Sequence, residues 1–114
     1  ESLFLKNLFD YMERQRPYLD PDINLAQLSN HVKVRPEYLS GVINSSLNQN
    51  FFDFINQYRI EEFKRRATEL QKANYSILGI AYECGFNSKA SFYRAFKKFE
   101  RQSPSVFIKA VNLK

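Results

Sequence analysis

Hydrophobic residues along this chain recur at helical intervals. In FFDFINQYRIEEFKRRATELQ, apolar side chains stand at 51, 54, 55, 58, 60, 63, 67 and 70. Steps of three and four predict one long helix over 51–71, roughly 30 Å in length at about 1.5 Å per residue. The stretch LFLKNLFDYMERQR (3–16) reads as a first helix, and YLDPDI leads from it to Asn24. Period-two alternation of β-branched residues is absent, and only 3 Gly and 4 Pro punctuate the 114 residues. The pattern predicts an all-α chain of long helices and short turns.

The pattern also repeats. NLAQLSNHVKV (24–34) set over SILGIAYECGF (76–86) aligns Leu25 with Ile77, Leu28 with Ile80, Ser29 with Ala81, Val32 with Cys84 and Val34 with Phe86. One residue out of step, Leu39 then aligns with Phe92, Ile43 with Phe96, Phe54 with Phe107 and Ile55 with Ile108. Few identities survive, but size and polarity do. Two copies of one unit of roughly 32 residues are expected, joined by the long helix.

Each copy has the grammar of a helix-turn-helix. Asn24 stands as an N-cap, with Gln27 completing a capping box and Ile23 and Leu28 spaced as a hydrophobic staple. In the second copy Ser76 is the cap, with Tyr75 and Ile80 as its staple. Small Ser29 and Ala81 fall where crossing helices approach closely. Gly85 stands where the tight turn wants positive φ, a place that Lys33 takes in the first copy. Pro36 opens one second helix, and Asn87 or Ser88 caps the other. The expected organisation is residues 1–50 as first helix and first helix-turn-helix, 51–72 as linker helix, and 73–114 as second helix-turn-helix and C-terminal helix.

The second helix of the second copy, 88–99, puts rings and charge close together. At 100° per residue Phe92, Phe96 and Phe99 form one stripe, and Arg94, Lys97, Lys98 and Arg101 form another on the opposite side. The rings seat the helix and the cations face out. Such a helix meets bases of the major groove with its first turns, so Ser88, Lys89, Ala90, Ser91, Tyr93 and Arg94 are the expected base readers. Arg94 suits bidentate recognition of guanine. Lys97, Lys98 and Arg101 lie further along and suit phosphates. The first copy's helix, 36–46, carries no Lys or Arg; its reading set is Arg35, Glu37, Ser40 and Asn44 around Gly41. The first copy is therefore expected to add less affinity.

Charge sharpens this picture. Residues 1–56 hold five Lys/Arg against seven Asp/Glu, and residues 57–114 hold twelve against five. The basic half points to a polyanion. The same face would also serve a helical protein-interaction module that docks acidic partners. A single Cys excludes an internal disulfide and fits a reducing, cytoplasmic compartment. No apolar run is of membrane-spanning length, so no membrane contact is expected. Cys84 reads as a small core residue and lone His31 lacks partners, so no metal or other cofactor is expected. No nucleophile–base set or phosphate loop points to an enzyme. Arg59 is placed either to brace the two copies, the reading slightly favoured, or to touch phosphate, while Lys64, Arg65 and Arg66 are as well placed for solvent as for DNA.

LAQLSNHVKVRPEYLS (25–40), YRIEEFKRRATEL (58–70), ILGIAYECGF (77–86) and SFYRAFKKF with SPSVF (91–107) resemble the DNA-binding domain of AraC-type transcription regulators. The likeness runs from about Tyr18 to Ile108. It implies two helix-turn-helix subdomains bridged by a long helix, about seven helices in all. It implies sequence-specific binding of double-stranded DNA and control of transcription, usually activation, with RNA polymerase as a partner. It further implies a parent protein whose other region senses a signal or dimerises. Arg101 stands where the family has a glycine that ends the recognition helix with φ > 0. The matching Asn48 suits that conformation better.

Overall fold

The computed structural model describes residues 2–69 and 75–112. Its elements are α1 (Ser2–Gln15), a 3-10 turn (Pro17–Leu19), α2 (Leu25–His31), α3 (Pro36–Leu47), α4 (Phe51–Glu69), α5 (Ile77–Glu83), α6 (Lys89–Glu100) and α7 (Pro104–Asn112). All elements among the described residues are helical. The pairs α2–α3 and α5–α6 are helix-turn-helix units, and α4 joins them. The expected end of the linker, 70–72, lies outside the described residues.

Local chemistry sets the helix boundaries. Asn24 Oδ1 accepts from the Gln27 amide at 2.8 Å, Ser76 Oγ from Gly79 at 2.8 Å and Ser88 Oγ from Ser91 at 3.1 Å. Each bond satisfies one of the donors that a helix start leaves open. Asn50 does the same for α4 through the Asp53 amide at 2.8 Å. Pro36 occupies the first turn of α3. Ile23 and Leu28 are both buried, as the first staple requires. The second staple does not close: Tyr75 is 54% exposed, while Ile80 turns into the core around Phe63. The Ser76 hydroxyl caps this helix start.

The turns adopt the left-handed conformations that the repeat demands. Gly85 has φ 106°, and its counterpart Lys33 has φ 61°. Asn48 ends α3 at φ 53°, and Arg101 ends α6 at φ 57°. For Lys33 and Arg101 the Cβ crowds the backbone there, at a cost of about 1–2 kcal/mol each.

Two apolar clusters share α4. Leu8, Met12, Leu28, Leu39 and Ile43 pack with Phe54 and Ile55 of α4. Ile80, Ala81, Cys84, Phe92 and Phe96 pack with Ile60, Phe63 and Ala67 of the same helix. Ser29 and Ala81 are buried at the helix crossings, as their small size allows. The Phe63 ring lies 4.8 Å from Phe92 and 5.6 Å from Phe96, centroid to centroid. Phe107 of α7 closes over Phe96 at 5.8 Å. Burial pushes the Cys84 thiol up to about 12, consistent with a residue that serves the core.

Between the clusters α4 carries two buried charges, Arg59 and Glu62. Arg59 Nε donates to the Tyr18 carbonyl at 2.8 Å and Nη2 to the Asp20 carbonyl at 3.0 Å. Nη1 donates to Asn56 Oδ1 at 3.1 Å, and the guanidinium lies 5.7 Å from the Phe86 ring centroid. Burial pulls the Arg59 pKa below its ordinary value, against the opposing pull of Asp20. Glu62 accepts from Arg65 at 2.5 Å and from Arg66 at 2.6 Å, with Arg16 3.8 Å away. Burial alone would raise the Glu62 carboxyl; the hydrogen bonds from Arg65 and Arg66 outweigh it and hold the carboxyl below the usual range.

Phe63→Ala should lower the unfolding free energy by about 3–5 kcal/mol, because it opens a cavity beneath α6. Urea denaturation followed by circular dichroism measures this; a loss below about 1 kcal/mol would contradict the assignment of Phe63 as the keystone of that cluster.

Candidate nucleic-acid interface

Helix α6 turns its rings inward and its cations outward. Phe92 and Phe96 are fully buried, Phe99 packs at the cluster edge, and Arg94, Lys97, Lys98 and Arg101 are exposed. The two demands on this segment therefore occupy opposite faces of one helix.

The expected base readers differ in how much of them is available. Lys89 and Ala90 are exposed in the first turn, and the Lys89 ammonium sits 5.5 Å from the Tyr93 ring centroid. Tyr93 is half-buried against Phe92. Ser88 and Ser91 are engaged with each other: Ser88 Oγ donates to Ser91 Oγ at 2.9 Å, and Ser91 Oγ donates to the Ser88 carbonyl at 3.0 Å. Arg94 projects from the middle of the helix into a groove of about 380 Å³, lined also by Phe52, Asp53, Asn56, Ser91, Ala95 and Lys98.

The cations are not equivalent. Lys98 Nζ lies 2.6 Å from Asp53 Oδ2, across the groove on α4. Among the described residues no acid pairs with Arg94, Lys97 or Arg101. The linker cluster, by contrast, is spoken for. Lys64 meets Glu61 at 2.8 Å and Glu100 at 3.0 Å; Arg65 meets Glu62 and Glu69; Arg66 meets Glu62 and approaches Glu83 at 3.9 Å. Positive charge without an internal partner is thus concentrated on α6.

Helix α3 presents a milder face. Arg35 is exposed at its N-cap without a side-chain capping bond, and Glu37 is exposed in its first turn. Ser40 is half-buried, and Asn44 is exposed with Nδ2 donating to the Ser40 carbonyl at 3.1 Å. Nothing lies within 4 Å of where a Gly41 side chain would begin, so this face is flat at its centre. Exposed Tyr38 rests edge-on against Phe4 of α1. His31 stacks on Tyr11 with centroids 5.9 Å apart.

Sequence reasoning missed Phe52, Asp53 and Asn56. Phe52 is 68% exposed at the start of α4, off the apolar stripe that the helical period picks out. Asp53 and Asn56 fall on the polar side of α4, which gave no sign that this side would face α6.

A helix-turn-helix domain family model matches residues 28–110. The chain belongs to the AraC-type helix-turn-helix family. It is 36% identical over 98 residues to an uncharacterized HTH-type transcriptional regulator of Staphylococcus aureus (strain COL), covering 86% of this chain and 12% of that protein. It is 28% identical over 90 residues to the melibiose operon regulatory protein of Escherichia coli (strain K12), covering 79% of this chain and 29% of that protein. The chain therefore spans a small part of the length of these relatives. The C-terminal domain of AraT, a response regulator from Geobacillus stearothermophilus, superposes with a TM-score of 0.72 at 26% identity, covering 94% of this chain and 84% of that one. A likeness of fold extends to the C-terminal domain of the two-component response regulator yesN from Fusobacterium nucleatum, with a TM-score of 0.68 at 22% identity over 94% of this chain and 95% of that one. Membership of this helix-turn-helix family supports a DNA-binding role in transcription regulation.

Arg101 gives this interface a test in which stability and binding move apart. Arg101→Gly should raise the unfolding free energy by about 0.5–1 kcal/mol, since glycine accepts φ 57° without crowding. The same change should weaken duplex binding and reduce its salt slope by about one ion. Thermal melts and titrations at several salt concentrations check both halves; unchanged affinity would remove Arg101 from the phosphate set.

Proposed function

We propose that the domain binds double-stranded DNA with α3 and α6 in successive major-groove segments on one face of the duplex. The observation that carries this reading is the outward face of α6. Arg94, Lys97 and Arg101 stand exposed there with no acid partner among the described residues, while the linker cations are engaged internally. Arg94, with Lys89, Ala90 and the first turns of α6, reads bases; Lys97 and Arg101 hold phosphates, and Lys98 joins them once it leaves Asp53. The α4 helix, about 28 Å long at about 1.5 Å per residue, approaches the roughly 34 Å between turns of one groove. That match supports two readers on one face. Helix α3 contributes Arg35, Glu37, Ser40 and Asn44; it adds less affinity and reads shape as much as bases, because its centre is flat and uncharged.

In this reading residues 1–50, 51–72 and 73–114 work as reader, spacer and reader of one DNA-binding domain. The domain serves a longer cytoplasmic regulator whose other region senses a signal or dimerises, and which acts on RNA polymerase. The limited share of each relative that the chain covers supports the longer parent.

Selection of bound duplexes from a randomised pool, followed by titration at two salt concentrations, tests the reading. The expected result is two preferred blocks about one turn apart and an affinity that falls steeply with salt. Arg94→Ala should cost about 1–3 kcal/mol and relax preference at one position. No enrichment and negligible binding at low salt would favour a protein-docking role for the basic face.

A further inference from the structure

We infer that Arg59 is a positioning residue for DNA recognition: it fixes the rotational phase between the two reading helices, and so sets how strictly the domain discriminates the spacing of its two half-sites. This rests on the two-helix reading above.

The argument begins with where Arg59 stands on α4. Phe54 and Ile55 belong to the first apolar cluster, and Ile60 and Phe63 to the second. Arg59 is the buried residue at the seam between them. Its guanidinium reaches both sides. Two of its nitrogens hold the Tyr18 carbonyl, inside the 3-10 turn of the first subdomain, and the Asp20 carbonyl, just after it. Its face covers Phe86, in the turn of the second helix-turn-helix.

That turn also touches the first subdomain directly. A methyl group at Gly85 would overlap the Tyr18 carbonyl oxygen and lie 2.7 Å from Arg59 Nε. So the tip of the second helix-turn-helix rests on the backbone that Arg59 grips, with no room for a side chain between. The Asn56 amide oxygen receives the third nitrogen at 3.1 Å and fixes the plane of the fork.

Such a clamp resists rotation about the α4 axis in a way that apolar packing does not. Apolar contacts are non-directional, and each cluster could roll slightly on α4 at small cost. A planar fork bonded to two separate carbonyls has one orientation. The phase between α3 and α6 then becomes a property of the folded domain rather than of the bound complex. A phase fixed in advance adds the second half-site as a near-intramolecular event, provided the site has the matching spacing.

The experiment compares the intact chain with Arg59→Lys and Arg59→Gln on the two-block duplex recovered by selection. One block is moved by zero, one or two base pairs, and in control duplexes one block is scrambled. Lysine keeps the charge but has no planar fork; glutamine keeps a planar donor for one carbonyl. The unaltered protein should lose about tenfold or more in affinity for a two-base-pair shift. Either variant should lose about threefold or less for the same shift, while binding the scrambled-block controls within about twofold of the unaltered protein. A variant with an undiminished spacing penalty would overturn the inference. So would a uniform loss across all spacings and controls, including through failure of both variants to fold, since Arg59 would then act on stability alone. If the unaltered protein showed no spacing preference, the two-helix reading itself would fail, and the inference with it.

Discussion

A buried guanidinium holds two backbone carbonyls at the seam of this molecule, between the apolar cluster that seats α3 and the one that seats α6. An Arg taken out of water is costly unless its donors find partners. Arg59 has them in Tyr18, Asp20 and Asn56, and its flat face is covered by Phe86. Three residues on, Glu62 faces the same problem with opposite sign and solves it with Arg65 and Arg66. The linker helix thus does more than span a distance. It carries a charged joint at its middle, with one apolar cluster on each side.

The joint explains the division of labour among the cations. Lys64, Arg65 and Arg66 on the linker each pair with acids, whereas among the described residues Arg94, Lys97 and Arg101 have no acid partner. Phe63, Phe92 and Phe96 anchor α6 from beneath, which lets Arg94, Lys97 and Arg101 project outward. Arg101 holds its cation at a backbone position where glycine would be more comfortable. Helix α3 has the corresponding seat, but its outer face is flat at Gly41 and its charges, Arg35 and Glu37, stand only at its start.

The sequence made much of the fold legible because each signal was local. Caps at Asn24, Ser76 and Ser88 and the turn at Gly85 follow from a residue and its near neighbours, while the left-handed end at Arg101 followed from the family resemblance. The repeat aligned Cys84 with Val32, and both pack against their own clusters. What stayed hidden depends on tertiary register. Lys98 read as a phosphate ligand, and only the packing of α6 across α4 shows Asp53 waiting for it. Ser88 and Ser91 read as base contacts, and the structure adds that their hydroxyls bond to each other within the cap of α6. Phe52 and Asn56 gave no signal at all, because the groove they line exists only when both helices are in place.

The most direct test of the central claim, that two fixed reading helices engage one face of a duplex, is hydroxyl-radical footprinting of the domain on a selected site. Two protected backbone segments on the same face, their centres about 10 base pairs apart, are the predicted result. A single protected segment, or two on opposite faces of the duplex, would contradict it.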